Sequence, residues 1–493
     1  MREIRQHLLS FLLLFLGCAC VARGYVNPIE VEGKHFIDSV TKQPFYIKGV
    51  DYQPGGSSDV TSDKDPLSDP DTCVRDIVLF QELGINTIRI YSVNPDLDHD
   101  KCMSLLAAAG IYLILDVNSP LENQHLNRYE PWTTYNEIYL EHVFKVVEQF
   151  SHYNNTLGFF AGNEIINDEE SAKRAPPYVK AVVRDMKDYI KAHSARPIPV
   201  GYSAADDLDY RVPLSSYLEC CENVDEDISV DFYGVNSYQW CGTQTMESSG
   251  YDKLVEAYKN YTKPVFFSEF GCNKVLPRQF NEIEALYSKE MYAVFSGGLV
   301  YEFTQESNNY GLVELDSDGA VRLLKDFDML KKHYDNTKLP TADDVTKAAA
   351  ADSSVLGQKD ALEKVPICEK SYKNLGISGK VADGLASDFI KNSVDIMKGH
   401  YVNLEENDFT TTYDIFDSNG NNWAGSKTIR QVNSIDATEP QTKPGGSSSA
   451  SDGGSSSEAS ANGANGKKNA GSAPVSPVTA IAISAFLILI NFF

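Results

Sequence analysis

The chain has 493 residues, with 69 acidic side chains against 44 basic ones and a formal net charge of −25. That balance excludes a nucleic-acid binder, whose phosphate contacts need basic patches. It is compatible with a neutral polysaccharide and favours solubility, and the length leaves room for one large barrel with shorter tails.

The first residues carry Arg2 and Arg5, then an apolar run from Leu8 to Leu16, then small residues near Ala22 and Gly24. This order predicts a secretory signal peptide over residues 1–24, with an apolar run too short to span a bilayer. Of nine cysteines, Cys18 and Cys20 leave with the signal. The rest should pair in an oxidising compartment, with one left over. Asn154 and Asn260 head Asn-X-Thr glycosylation sequons, as fits a secreted chain. No CxxC pair and no HExxH spacing occurs, so neither a metal nor a cofactor is expected.

From about residue 25 to 340, apolar runs alternate with helical patterns. The runs predict strands at Phe45–Val50, Ile85–Ile90, Ile111–Val117, Leu157–Gly162, Ile198–Tyr202, Asp231–Val235, Pro264–Ser268 and Gly298–Phe303. Apolar residues at three- and four-residue spacing predict helices over Cys73–Leu83 and Tyr135–Phe150. The alternation implies an α/β fold, a (β/α)8 TIM barrel, rather than an open doubly wound sheet, because no Gly-rich phosphate loop follows the first strand. The barrel and a disulfide-tethered tail are placed at residues 25–370. A small extension follows at 371–436, with one amphipathic helix at Lys380–Lys398. Residues 437–469 are rich in Ser, Gly, Asn and Ala and read as a disordered stalk. Residues 470–493 combine a polar spacer with the apolar run Val478–Phe493, behind small residues at Asn469, Ala470 and Gly471. That pattern predicts glycosylphosphatidylinositol (GPI) attachment, at Asn469 first and Asn465 second.

Barrels of this kind carry reactive side chains at the C-terminal ends of strands. Those positions hold Arg89 and Tyr91, Asp116 and Asn118, Asn163 and Glu164, Asn236 and Tyr238, Glu269, and Tyr301 and Glu302. Carboxylates, amides and tyrosines dominate, as a sugar site requires. Glu164 and Glu269 each follow an apolar strand, the fourth and the seventh. Together they predict a glycosidic pair, one carboxyl protonating the departing oxygen and the other attacking the anomeric carbon. Tyr238 is a candidate donor to the nucleophile, or else a core tyrosine. Asn163 is a candidate contact to the sugar 2-hydroxyl, or else a turn residue. Gly-Tyr-Ser-Ala-Ala at Gly201–Ala205 lacks the second glycine of a nucleophile elbow. Trp132 and Trp240 fit sugar-stacking platforms and core packing equally well.

The segments FYIKGVDYQP, GINTIRIYSVNP, AGIYLILDVNSP, FFAGNE, DFYGVNSYQWCG, VFFSEFGCN and GGLVYEFTQESNNYGLV are similar, in order, to those of the fungal Gas/Gel/Phr β-1,3-glucanosyltransferases, family 72 of the glycoside hydrolases. The resemblance covers about residues 25–370. It implies a retaining barrel, GPI anchorage at the outer face of the plasma membrane and possible passage to the cell wall. It also implies β-1,3-glucan as both donor and acceptor. By this resemblance Glu164 is the acid/base and Glu269 the nucleophile. Tyr91, Asn163, Tyr301 and the loop Asn118–Leu126 are donor contacts, and Asp206 and Arg211 lie on the acceptor side. Cys73 pairs with Cys102, Cys241 with Cys272, and Cys368 with Cys220 or Cys221. A cysteine-rich carbohydrate-binding domain is missing after the barrel, so the chain resembles the shorter subgroup. An endo-β-1,3-glucanase on the same barrel and a catalytically silent wall-binding protein are the rival readings. The carboxylate pair opposes the second. Only what attacks the covalent intermediate separates the first.

Overall fold

The computed structural model describes residues 26–221, 228–351 and 366–435. The expected signal peptide, stalk and anchor signal, with Asn469 and Asn465, lie outside the described residues. Eight parallel strands close into a barrel in sequence order: β1 (Ile47–Asp51), β2 (Thr87–Ile90), β3 (Tyr112–Asp116), β4 (Thr156–Asn163), β5 (Val200–Ala204), β6 (Phe232–Ser237), β7 (Val265–Phe270) and β8 (Phe295–Val300), the last pairing back onto the first.

Large and absent side chains alternate along the strands and fill the barrel interior. Phe160, Phe232 and Phe266 pack together there with Ile47, Ile114 and Leu299. Their bulk needs glycines opposite: a Cβ at Gly201 would stand 2.2 Å from the Phe232 ring. A three-stranded antiparallel sheet of Ile29–Glu32, His35–Asp38 and Pro44–Phe45 precedes the barrel. It sends Phe36 against Phe232 and Phe266, at ring-centroid distances of 5.7 and 5.8 Å, and so adds to the apolar core inside the barrel.

Each predicted strand overlaps an observed one, with the bounds moved by one to three residues, and two of the shifts have a clear local cause. Pro44–Phe45 belongs to the antiparallel sheet, so β1 starts at Ile47 and runs one residue further, to Asp51. β8 starts at Phe295 and stops at Val300, where the Tyr301 amide turns to the Phe270 carbonyl (2.9 Å). Among the helices, α1 (Pro70–Leu83) starts behind an Asp69 cap and stops at Gly84 in the left-handed region. The others used below are α2 (Asp100–Ala109), α3 (Glu137–Phe150), α4 (Glu169–Arg174), α5 (Pro176–His193), α6 (Arg211–Glu219) and α7 (Lys325–Asn336).

Three disulfides join Cys73 to Cys102, Cys241 to Cys272 and Cys220 to Cys368, and Cys221 stays a buried thiol. From Cys368 the extension runs around the outside of the barrel. The Gly376 amide bonds the Ala172 carbonyl on α4 (2.9 Å). Further along, Val394 N reaches Tyr189 on α5, and Lys398 pairs with Glu148 on α3 at 2.6 Å. Val402 N bonds Ser104 on α2, and Ile415 pairs with Val321 in a small sheet ahead of α7. Val432 N then returns to the Ala108 carbonyl on α2. These contacts override the periodicity that predicted a helix over Lys380–Lys398. Gly384 (φ 80°) and Ser393 (φ 66°) leave the helical region, and only Ser387–Asn392 is helical. Of the two sequon residues, Asn260 is exposed and Asn154 half-buried.

Among the described residues no helix is long and apolar enough to cross a membrane, and none cluster as three or more candidate metal ligands.

Candidate active site

The C-terminal ends of the strands converge on two glutamates. Glu269, on β7, is buried and accepts three hydrogen bonds: from Tyr238 Oη to Oε2 (2.7 Å), and from Tyr91 Oη (2.9 Å) and Arg89 Nη1 (3.2 Å) to Oε1. Arg89 is itself buried and is aimed by two bonds to Asp116, Nε to Oδ1 at 3.0 Å and Nη2 to Oδ2 at 2.9 Å. Burial pushes the Glu269 carboxyl up. The Arg89 guanidinium and then the Tyr238 and Tyr91 hydroxyls push back, leaving a net rise.

Glu164 follows β4 with φ at 48°, in the left-handed region that a non-glycine residue seldom adopts. Such a backbone is held only where its surroundings enforce it; here the Glu164 amide bonds the Ser203 carbonyl at 2.9 Å. Its carboxyl accepts one hydrogen bond, from Asn236 Nδ2 at 2.7 Å. Asn236 is held from its other side as well, where Oδ1 accepts from Ser268 Oγ (2.8 Å) and Ser203 Oγ (3.2 Å). Burial and then the Glu269 charge push Glu164 up to about 7. The two carboxyls therefore differ: Glu269 is surrounded by donors that favour its ionised form, and Glu164 is held as a neutral acid close to physiological pH.

Two further carboxyls lie in the same cluster. Glu302 is pushed up to about 7 by burial and takes one bond from Asn308 Nδ2 (2.9 Å). Asp51 is fully buried and neither of its oxygens has a partner; burial drives it well above the carboxylate range, opposed by Arg89. Burial without a side-chain partner disfavours a charge on Asp51, and Arg89 is paired to Asp116 and Glu269 instead. Asp51 had a signal in the sequence: it continues the alternation of inward residues Ile47 and Gly49.

Tyr91, Tyr238 and Tyr301 form an aromatic wall with Tyr310. Tyr301 meets the Tyr91, Tyr238 and Tyr310 rings edge-on at 6.3, 6.4 and 5.3 Å. The Asn163 side chain borders Asn236 at 3.5 Å. The Asn118 side chain is engaged within the fold: Nδ2 donates to the Ala161 carbonyl (2.8 Å) and Oδ1 accepts from Tyr139 (2.7 Å).

Arg211 and Asp206 pair at 2.7 Å, but Arg211 is only 1% exposed. Its other bonds go to the Asn236 carbonyl (3.3 Å) and Gln239 (2.7 Å). Arg211, expected on the acceptor side, thus lies behind Asp206. Asp206 is the exposed member, and its second oxygen accepts the Tyr238 amide at 3.0 Å. Ser203 is buried in the Asn236 network, which removes it as a nucleophile. Trp240 is buried against Tyr251, so it is a core residue; Trp132 is exposed.

The glucanosyltransferase family model matches residues 18–338. The Saccharomyces cerevisiae 1,3-β-glucanosyltransferase GAS4 is 62% identical over 420 residues, covering 85% of this chain and 87% of that protein. The Aspergillus fumigatus 1,3-β-glucanosyltransferase gel2 is 50% identical over 364 residues, covering 73% and 74%. Among solved structures, S. cerevisiae Gas2p in complex with laminaritetraose and laminaripentaose is similar with a TM-score of 0.60 at 41% identity, over 64% of this chain and 69% of that one.

Proposed function

The chain belongs to the glucanosyltransferase family, and from that premise we propose that it cuts and rejoins β-1,3-glucan by retaining transfer, with Glu269 as nucleophile and Glu164 as acid/base. The observation that carries this reading is the asymmetry of the two carboxyls, three donors on Glu269 against one on Glu164.

In the first step Glu269 attacks the anomeric carbon of an internal donor unit. Glu164 gives its proton to the departing glycosidic oxygen, leaving a covalent glycosyl-enzyme and a released chain end. Glu164 is now ionised. It takes the proton from a hydroxyl at the non-reducing end of a second glucan, whose oxygen attacks the anomeric carbon and frees Glu269. One glycosidic bond breaks and one forms, so acceptor chains grow. Tyr91 and Tyr301 hold the donor, and Asn163 meets its 2-hydroxyl. Tyr238 keeps Glu269 ionised and Asp206 faces the acceptor. Arg211 and Asn118 are positioning residues, acting through Asp206 and through β4.

The sequence patterns of residues 1–24 and 470–493 support secretion and anchorage through a GPI group at Asn469, on the outer face of the plasma membrane. The test of function is product analysis on a reduced laminari-oligosaccharide. Elongated products support transfer. Shortened products alone, over a range of acceptor concentrations, would make the enzyme an endo-β-1,3-glucanase. Glu164→Gln and Glu269→Gln should each abolish both outcomes.

A further inference from the structure

Between β3 and α3 the chain forms a loop that stands on the Glu164 side of the cleft. Of its three large aromatic residues Tyr135 is buried, while two are turned outward: Tyr129 is 43% exposed and Trp132 is 51% exposed. Scattered exposed aromatics are ordinary, but these two are braced. Asn127 Oδ1 accepts the amides of Tyr129 (2.9 Å) and Glu130 (3.1 Å), and the Asn127 amide bonds Thr134 Oγ1 (2.8 Å). Tyr129 Oη donates to Asp168 (2.9 Å), which lies four residues after Glu164. Arg174, on α4, donates to the Tyr129 carbonyl (3.2 Å) and is tied to Glu170. Its guanidinium sits 5.6 Å from the centre of the Trp132 ring. Arg128 connects this patch to the chemistry, since its charge acts on Glu164, Asp168 and Tyr129 alike.

We propose that Tyr129 and Trp132 form an outlying stacking subsite for the β-1,3-glucan chain on the acid/base side of the cleft, where the leaving and acceptor chains run. This rests on the function proposed above. A pyranose ring presents an apolar C–H face with hydroxyls around its edge. A platform for it needs a flat aromatic surface with polar groups at the rim; Asp168, Arg174 and Glu130 supply that rim. Asp168 and α4 follow Glu164 directly in the chain and the loop is hydrogen-bonded to both, so a polymer leaving the cleavage point on that side meets these rings. Bracing the rings in advance spares the ordering cost of stacking.

The experiment uses the full chain carrying Glu269→Gln, titrated with β-1,3-oligoglucosides of increasing length and followed by tryptophan fluorescence and calorimetry. The same ladder is then run for turnover in the otherwise unaltered enzyme. In Tyr129→Ala/Trp132→Ala, binding and kcat/KM should fall by about fivefold on long chains and under twofold on the shortest. Trp132→Phe should restore most of the loss. A loss equal at all lengths, or no loss on long chains, would overturn the subsite. Absence of any glucan turnover by the unaltered enzyme would instead overturn the function on which it rests.

Discussion

Asn236 donates its 2.7 Å hydrogen bond to Glu164 from a backbone position paired in register with Glu269. One residue thereby links the two carboxyls and partly opposes the rise in the pKa of Glu164. With Glu164 at about 7, a step that needs its proton should lose rate as pH rises through that value. Asn236→Ala removes a donor to the charged form, so the Glu164 pKa rises and the alkaline limb of kcat moves to higher pH. The rate at the optimum should drop by about 10- to 100-fold, the worth of a hydrogen bond to a charged group. A pH–rate profile of both proteins checks the direction.

Thermal stability should also depend on pH. Glu164, Glu282 and Glu302 are each raised from 4.5 to about 7. Raised carboxyls contribute fully below their unfolded value, and the contribution is lost as pH climbs through the folded one. Each loss is on the order of 3 kcal/mol. Tm should therefore fall between pH 5 and pH 8, and Glu282→Gln should flatten that fall. A Tm that rises over this window would contradict the assignment.

Arg211→Ala leaves Asp206 unpaired, and Asp206 holds the Tyr238 amide. Transfer should fall more than cleavage, raising the share of hydrolysis. Arg211→Lys should rescue little, because an ammonium cannot serve Asp206, the Asn236 carbonyl and Gln239 together. Separation of elongated from shortened oligosaccharides gives the ratio, and an unchanged ratio in a folded variant would remove this role.

Cys368→Ser opens the bridge to Cys220, which closes a sequence separation of 148 residues. The expected cost is about 2–5 kcal/mol, read by denaturant unfolding. Peptide mapping without reductant should find Cys221 as the thiol.

Phosphatidylinositol-specific phospholipase should release the protein from intact cells, and Asn469→Ala should divert attachment toward Asn465 or lower it. Full retention after verified cleavage would exclude the anchor.

Much of this site is legible in the sequence because a buried parallel strand writes itself as a continuous apolar run, and the first polar residues after it must face the cleft. Arg89, Asn163, Glu164, Asn236, Tyr238 and Glu269 are all exposed to reading in that way. Asp51 is missed when the apolar run is cut at Val50, although the inward alternation of Ile47 and Gly49 continues to it. The burial of Arg211 and the engagement of Asn118 come from partners up to 43 residues away, which no local pattern records. The choice of Cys220 over Cys221 is likewise a matter of tertiary direction. The Lys380–Lys398 pattern meets α3 and α5, whose hydrogen bonds to the extension outweigh its periodicity.

The extension after Cys368 touches α4, α5, α3 and α2 before pairing with the strand ahead of α7. A ribosome delivers that segment only after the whole barrel. Until it emerges, four helices lack their outer partners and Cys220 lacks its own. The barrel is thus completed only when synthesis is nearly over, and an interrupted chain is left with open flanks that quality control in the secretory pathway can recognise.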